Sequence, residues 1–284
     1  MQSAAADTFR QAARLNRQDP RRQGNTVSLQ GDGVTLVAAG DIHGYRAGLE
    51  TAIGYAALDR TEGRILVLQE IIHGPLDDAG HDRSVELLLK AAALKVSMGP
   101  KVLFIMGNHD LAQITGSEIA KEGRGVCKSF VQGARRCFGG QAAEVLESVK
   151  EFQLSMPLAV RCPNKVMMVH SLPSPHRMDL AGLDILDRGY RDEDLVRGGP
   201  AYEWTWGRDH TDQQTDGLAQ SLGVEFFIIG HRNIPAGWEK VTSRAIAIAT
   251  DHNGGCVVEF AGADRLTAQT AAEHIRPLAA IMRR

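Results

Sequence analysis

Short, unbroken apolar runs alternate along this chain with stretches in which apolar residues recur every three or four positions. The run from Val34 to Gly40 has the continuous apolar character of a strand buried on both faces, and it leads into Asp41-Ile42-His43-Gly44. Four further runs behave alike. Arg64 to Leu68 leads into Gln69-Glu70, Lys101 to Met106 into Gly107-Asn108-His109-Asp110, Val166 to Val169 onto His170, and Val224 to Ile229 onto Gly230-His231. Between the first three, Leu49, Ala52, Ile53 and Ala56, then Val85, Leu88, Leu89, Ala92 and Val96, fall on single helical faces. Strand alternating with helix predicts an α/β fold with a parallel core.

Outside that core the pattern predicts strands near 26–29, 158–161, 244–249 and 255–260. Residues 4–17 read as a helix that, with the arginine-rich stretch to residue 24, forms a loosely attached, peripheral N-terminal segment. Residues 111–155 break the rhythm with a glycine-punctuated loop and two helices, and are expected to form a helical cap over the strand ends. A last helix is expected at about 266–276, stopped by Pro277. The polar and aromatic region 171–215 carries no assignable period.

Composition narrows the class without choosing a function. The 284 residues, 43% hydrophobic and 23% charged, are those of a globular chain able to bury a sizeable core. A formal net charge of -2 gives no overall reason to expect nucleic acid as partner. No apolar run has the length of a membrane span, and the N-terminus lacks the apolar centre of a secretory signal, so the expectation is a cytoplasmic protein. Cys127, Cys137, Cys162 and Cys256 show no CxxC spacing and read as reduced structural thiols.

The chemistry lies at the strand ends. Asp41 and His43, two apart in extended backbone, share a side and can face one point. Ligand sites of open α/β sheets lie at the C-terminal ends of strands, where all five runs deliver carboxylate, carboxamide or imidazole groups. A lone histidine there is most often a hydrogen-bonded structural residue. The Gly40-Asp41-Ile42-His43-Gly44 and Gly107-Asn108-His109-Asp110 motifs, in that order, instead suit oxygen and imidazole ligation of two cations with one carboxylate shared.

On these motifs, which span residues 40–231, the chain resembles the calcineurin-like metallophosphoesterases, nearest to bacterial members of the phosphoprotein-phosphatase branch. The resemblance implies a single domain over residues 1–284, folded as an α/β/β/α sandwich of two mixed sheets. It implies that Asp41 and His43 bind a first metal, that Asn108, His170 and His231 bind a second, and that Glu70 bridges both. The ions would be manganese, iron or zinc, holding a bridging hydroxide that attacks phosphorus. His109 would protonate the leaving oxygen, with Asp110 orienting its ring. Trp204-Thr205-Trp206-Gly207-Arg208 resembles the Trp-x-Arg element of bacterial members, which makes Arg208 either a bidentate phosphate ligand or a surface arginine beside a core tryptophan.

The departures fall in the same site. Where the family has Gly-Asp-x-x-Asp-Arg-Gly, this chain reads Gln69-Glu70-Ile71-Ile72-His73-Gly74-Pro75. The bridging carboxylate becomes a glutamate, the second aspartate becomes His73, and the phosphate-gripping arginine is missing at Gly74. Asp82-Arg83 either restores that charge from a longer loop or caps the helix behind it, so Arg83 and His73 stand as candidate substrate contacts. Gly230-His231-Arg232-Asn233 keeps the single-histidine pattern. Asp251-His252-Asn253 reads as a turn or as a further face of the site. The implied activity is hydrolysis of phosphomonoesters, with phosphoserine or phosphothreonine in proteins leading. Dinucleoside polyphosphates or other nucleotides are the alternative substrates. A regulatory or binding protein of weak activity on the same scaffold is the alternative of another class.

Overall fold

Fourteen strands are found among the described residues, and their order along the chain differs from their order in space. The first seven are β1 (Arg22–Gln23), β2 (Thr26–Ser28), β3 (Thr35–Asp41), β4 (Arg64–Gln69), β5 (Val102–Ile105), β6 (Ala120–Lys121) and β7 (Arg124–Gly125). They are followed by β8 (Ala159–Arg161), β9 (Val166–Val169), β10 (Phe226–Ile229), β11 (Trp238–Thr242), β12 (Ala245–Ile248), β13 (Cys256–Ala261) and β14 (Ile275–Pro277). In this computed structural model the described residues are 3–121 and 123–283. Met1 and Gln2, which head the N-terminal stretch, Glu122 in the glycine-punctuated loop, and Arg284 lie outside them.

One sheet has the order β14-β13-β3-β4-β5 and the other β1-β2-β8-β9-β10-β12-β11, while β6 and β7 form a separate hairpin. The centres are parallel: β3, β4 and β5 in the first sheet, β9, β10 and β12 in the second. Antiparallel partners flank them, so both sheets are mixed. Alternation of side chains across the pleat explains the unbroken apolar runs. Leu36 and Ala38 of β3 face a core shared with Met168, Phe226, Ile228 and Ile246 of the other sheet. Val37 and Ala39 join the core on the helix side.

The helices complete the outer layers. They are α1 (Ala4–Arg17), α2 (Arg46–Ala56), α3 (Ser84–Met98), α4 (Asn108–Thr115), α5 (Val126–Phe138), α6 (Ala142–Gln153), α7 (Asp192–Leu195), α8 (Pro200–Trp206), α9 (Asp212–Leu222), α10 (Ala271–His274) and α11 (Leu278–Ile281). Helices α2 and α3 cover the five-stranded sheet. Helix α9 is tied to the other sheet by Arg161 Nη1 donating to Leu222 O at 2.8 Å and by a Thr215–Thr242 hydroxyl contact of 3.1 Å. The result is the four-layer α/β/β/α arrangement. No described helix is long and apolar enough to cross a membrane.

Three expectations are corrected. Helix α1 is not loosely attached: Ala6, Phe9, Ala12 and Ala13 are fully buried, and Phe9 packs on Phe152 with ring centroids 5.8 Å apart. Its small residues at helical spacing allow close approach to α6 and α3. Residues 111–155 do not roof the strand ends. Their helices α5 and α6 pack laterally, with Phe130, Val145 and Phe152 in the main core. The helix expected at 266–276 shrinks to α10, because Ile275 and Arg276 pair with Val258 and Val257 as strand β14.

The two sheets meet at the ends that carry the motifs. Asp41 forms a parallel bridge with Ala249, and Thr250 N donates to Asp41 O at 2.9 Å. This junction holds the C-terminal ends of β3, β4, β5, β9 and β10 around one point.

Candidate metal centre

Six side chains converge there. Asp41 closes β3, His43 lies in the following loop, Glu70 follows β4, Asn108 opens α4 after β5, and His170 and His231 follow β9 and β10. Nitrogen and oxygen atoms of Asp41, His43 and Glu70 all lie within 4.8 Å of one another, as do those of Glu70, His170 and His231. Glu70 belongs to both groups. Asn108 joins the second through Oδ1, which lies 2.9 Å from His170 Nε2 and 2.8 Å from His231 Nδ1.

The backbone is bent to make this possible. Among the described residues seven other than glycine have positive φ, and four of them are His43 (41°), Glu70 (46°), His73 (62°) and His231 (61°). Such conformations cost energy and cluster at sites where side chains must be aimed. Two glycines are required by space alone. A Cβ on Gly107 would lie 2.7 Å from the Glu70 carboxylate, and one on Gly230 would lie 2.2 Å from Asp41 Oδ1.

Hydrogen bonds then aim the ligand atoms. His43 Nδ1 lies 3.1 Å from Ile72 O, and His231 N donates to both Asp41 oxygens at 3.1 and 2.9 Å. His109 N, in the first turn of α4, donates to Glu70 Oε1 at 2.7 Å, which sets the carboxylate at the positive end of that helix. His170 Nε2 lies 2.7 Å from Glu70 Oε2, and its Nδ1 lies 2.9 Å from Gln69 Oε1.

Electrostatics favour a cation. Burial raises the Asp41 carboxyl to about 7 against the pull of His170, and the nearby Glu70 charge pushes the same way as burial. Burial also lowers the His170 and His231 imidazoles, keeping them in the neutral form that binds metal. With Nδ1 of His231 directed at the Asn108 carbonyl oxygen, its Nε2 is a buried lone pair without a hydrogen-bond partner. These residues fit a metal pair: two carboxylates, a carboxamide oxygen and three imidazoles, with one nitrogen left unsatisfied.

The centre opens into a cleft of about 250 Å³ lined by Asp41, His43, Asn108, His109, His231 and, on the rim, Arg208, Arg232, Asn233 and Asp251. Arg208 therefore lines the cleft, and its backbone N donates to Ser174 Oγ at 2.8 Å. His73 and Arg83 do not face it. His73 is fully buried behind His109, their Nδ1 atoms 2.8 Å apart. Arg83 lines a different cavity and pairs with Glu86 at 2.6 Å, while Asp82 Oδ1 accepts from the backbone N of Ser84, the first residue of α3, at 2.8 Å. Asp110 is not placed to orient the His109 ring. Its oxygens accept from Gly107 N at 3.1 Å and Gln153 Nε2 at 2.9 Å, and burial raises it to about 7.

No protein-family model matches this chain, and no curated protein does. Solved structures do match. A protein serine/threonine phosphatase from Saccharomyces cerevisiae, described as similar to human phosphatase PP5, aligns with a TM-score of 0.62 at 14% identity over 90% of this chain and 81% of that one. The fold is that of the calcineurin-like metallophosphoesterases. A cold-active protein-tyrosine phosphatase of a psychrophilic Shewanella species aligns with a TM-score of 0.55 at 17% identity, over 87% of this chain and 78% of that one.

Within this metallophosphoesterase fold, sequence reasoning missed Gln69 and Gln113. Gln69 holds His170, and Gln113 Oε1 lies 3.0 Å from His73 Nε2. The only trace of Gln69 was a polar residue ending an apolar run. Gln113 follows His109 by four positions, which puts both on one face of α4.

Proposed function

We propose that this chain is a metal-dependent phosphoesterase that hydrolyses phosphomonoesters, with phosphorylated serine or threonine in proteins as its substrate class. One observation carries the reading: Glu70 is common to two ligand groups, an arrangement that a structural cluster of histidines has no need of. Asp41, His43 and Glu70 would hold one ion and Glu70, Asn108, His170 and His231 the other. When bound, such a pair supplies Lewis acidity and brings a water's pKa toward neutrality. The chain's own groups do the rest. Arg208 and Arg232 border the cleft and offset charge on the phosphoryl oxygens. His109, at the cleft wall, delivers a proton to the departing alkoxide.

The cleft favours a phosphorylated side chain over a nucleotide. Its lining is charged or polar throughout, and among the described residues it offers no apolar or aromatic platform other than imidazole on which a base could stack. Purified protein supplied with manganese is expected to release phosphate from a phosphoserine peptide and from p-nitrophenyl phosphate. His231→Ala should lower both rates by about 10²-fold or more through loss of metal. A dinucleotide panel run beside them is expected to react slowly. Manganese-dependent turnover of none of these would overturn the proposal, and preference for dinucleotides would overturn the substrate class.

A further inference from the structure

A second cavity, of about 410 Å³, opens beside the C-terminal ends of α1 and α6 and the short helix α7. None of the residues that line it borders the metal cleft. Arg17, Arg22 and Arg191 line it together with Tyr190, Leu154 and Leu195. The neighbouring acids are committed elsewhere: Glu151 pairs with Arg10 at 3.5 Å, Asp19 with Arg21 at 2.6 Å and Asp194 with Arg188 at 2.6 Å. Among the described residues no ion pair reaches any of the three lining arginines, and Asp192 is the single acid on the cavity wall.

Arg22 is the fixed member of the group. It is half-buried, and its Nε donates to Gly24 O at 2.8 Å, its Nη1 to Asn16 O at 3.4 Å and to Ser155 O, and its Nη2 to Asn25 Oδ1 at 3.3 Å. All four acceptors are neutral, so they hold the guanidinium in place and leave its charge without a counter-charge. One hydrogen on Nη2 is left over. Burial pulls the Arg22 pKa below its ordinary value, and the like charge of Arg17 pulls the same way. Arg17, whose Nη2 donates to Glu151 O at 3.1 Å, and Arg191 are exposed arms at the solvent edge.

We propose that this cavity is a binding site for a nucleoside phosphate, with the phosphates held by Arg17, Arg22 and Arg191 and the base resting against Tyr190, Leu154 and Leu195. Guanidinium forks match phosphate oxygens two at a time, and the anion supplies the charge that the neutral acceptors around Arg22 do not. The remaining wall is apolar. Tyr190 is tied back through its hydroxyl to Met156 O at 2.9 Å, so its ring is a fixed surface beside the two leucines. Phosphate alone would leave that surface uncovered, and the volume is that of a small-molecule site. The proposal is independent of the phosphoesterase reading, since it uses none of the residues of the metal cleft.

Calorimetric titration of the full-length protein with ADP, without added metal, tests the site. ADP is expected to bind with a Kd below about 1 mM, weakening as salt is raised, and pyrophosphate to bind at least about 10-fold more weakly because it lacks a base. Arg17→Glu and Arg191→Glu, both at exposed positions, should each weaken ADP by about 10-fold or more and leave the thermal midpoint unchanged. Arg22→Ala should abolish binding; if it fails to fold, the two exposed variants carry the test. Absence of ADP binding at about 10 mM, or undiminished affinity in both glutamate variants, would overturn the site. Pyrophosphate binding as tightly as ADP would overturn the nucleoside assignment. Because binding is read without turnover, its failure leaves the phosphoesterase reading untouched, and a protein that hydrolyses no phosphate ester would still show it.

Discussion

Asp41 shows how burial and charge combine at a single residue. Its carboxyl sits at about 7 rather than 3.8, so the folded metal-free protein binds that proton more tightly than the unfolded chain does. Stability from this group is complete at acid pH and is lost as pH rises from about 3.8 toward about 7. Asp110, raised to about 7 by burial and then by Glu70, acts in the same direction. A divalent cation removes the penalty at Asp41 because it binds only the ionised form. Manganese is therefore expected to raise the thermal midpoint more at about pH 8 than at about pH 5, as measured by parallel melts with and without metal. Equal shifts at both values would count against Asp41 as a ligand.

At the same scale, the convergence of the six candidate ligands was legible because each stands at or just after the end of an apolar run, where chain direction and sheet geometry leave little choice of position. The supporting contacts were not legible. Nothing in Gln69-Glu70 announces that the glutamine side chain reaches across to His170, a contact 101 residues away in sequence. His73 was misplaced for a related reason: sequence position put it in the phosphate loop, and a φ of 62° turned its ring inward to His109.

Among elements, α1 carries the largest revision. Its apolar face looked thin because alanine supplies most of it, yet those alanines let the helix lie close on α6 and α3, with Phe9 filling the gap beside Phe152 and, behind it, Phe104. Phe9→Ala should cost about 3–5 kcal/mol in chemical denaturation, as expected for a fully buried aromatic. A loss below about 1 kcal/mol would restore the picture of a detachable helix. Strands were easier to read than helices here. Runs buried on both faces are continuous and apolar, whereas β14 is an edge strand whose spacing mimicked a helix until β13 paired with it.

Over the whole molecule, two sheets that share a core bring the ends of five strands to one point, and the junction at Asp41 and Ala249 fixes that point. The α/β/β/α layering followed from the resemblance to metallophosphoesterases, since apolar runs alone say that strands are buried and not how many sheets they form. Residues 111–155 illustrate the limit. An insertion after a candidate catalytic loop suggests a cap, but its apolar stripes pack on α1 and α3, and none of its described residues lines the cleft.

The most direct test is anomalous diffraction from crystals soaked in manganese. Two peaks about 3.5 to 4 Å apart are expected, one against Asp41 and His43, the other against Asn108, His170 and His231, with the Glu70 carboxylate reaching both. A single peak, or two that leave Glu70 outside the coordination of either, would contradict the shared-carboxylate centre on which the proposed chemistry depends.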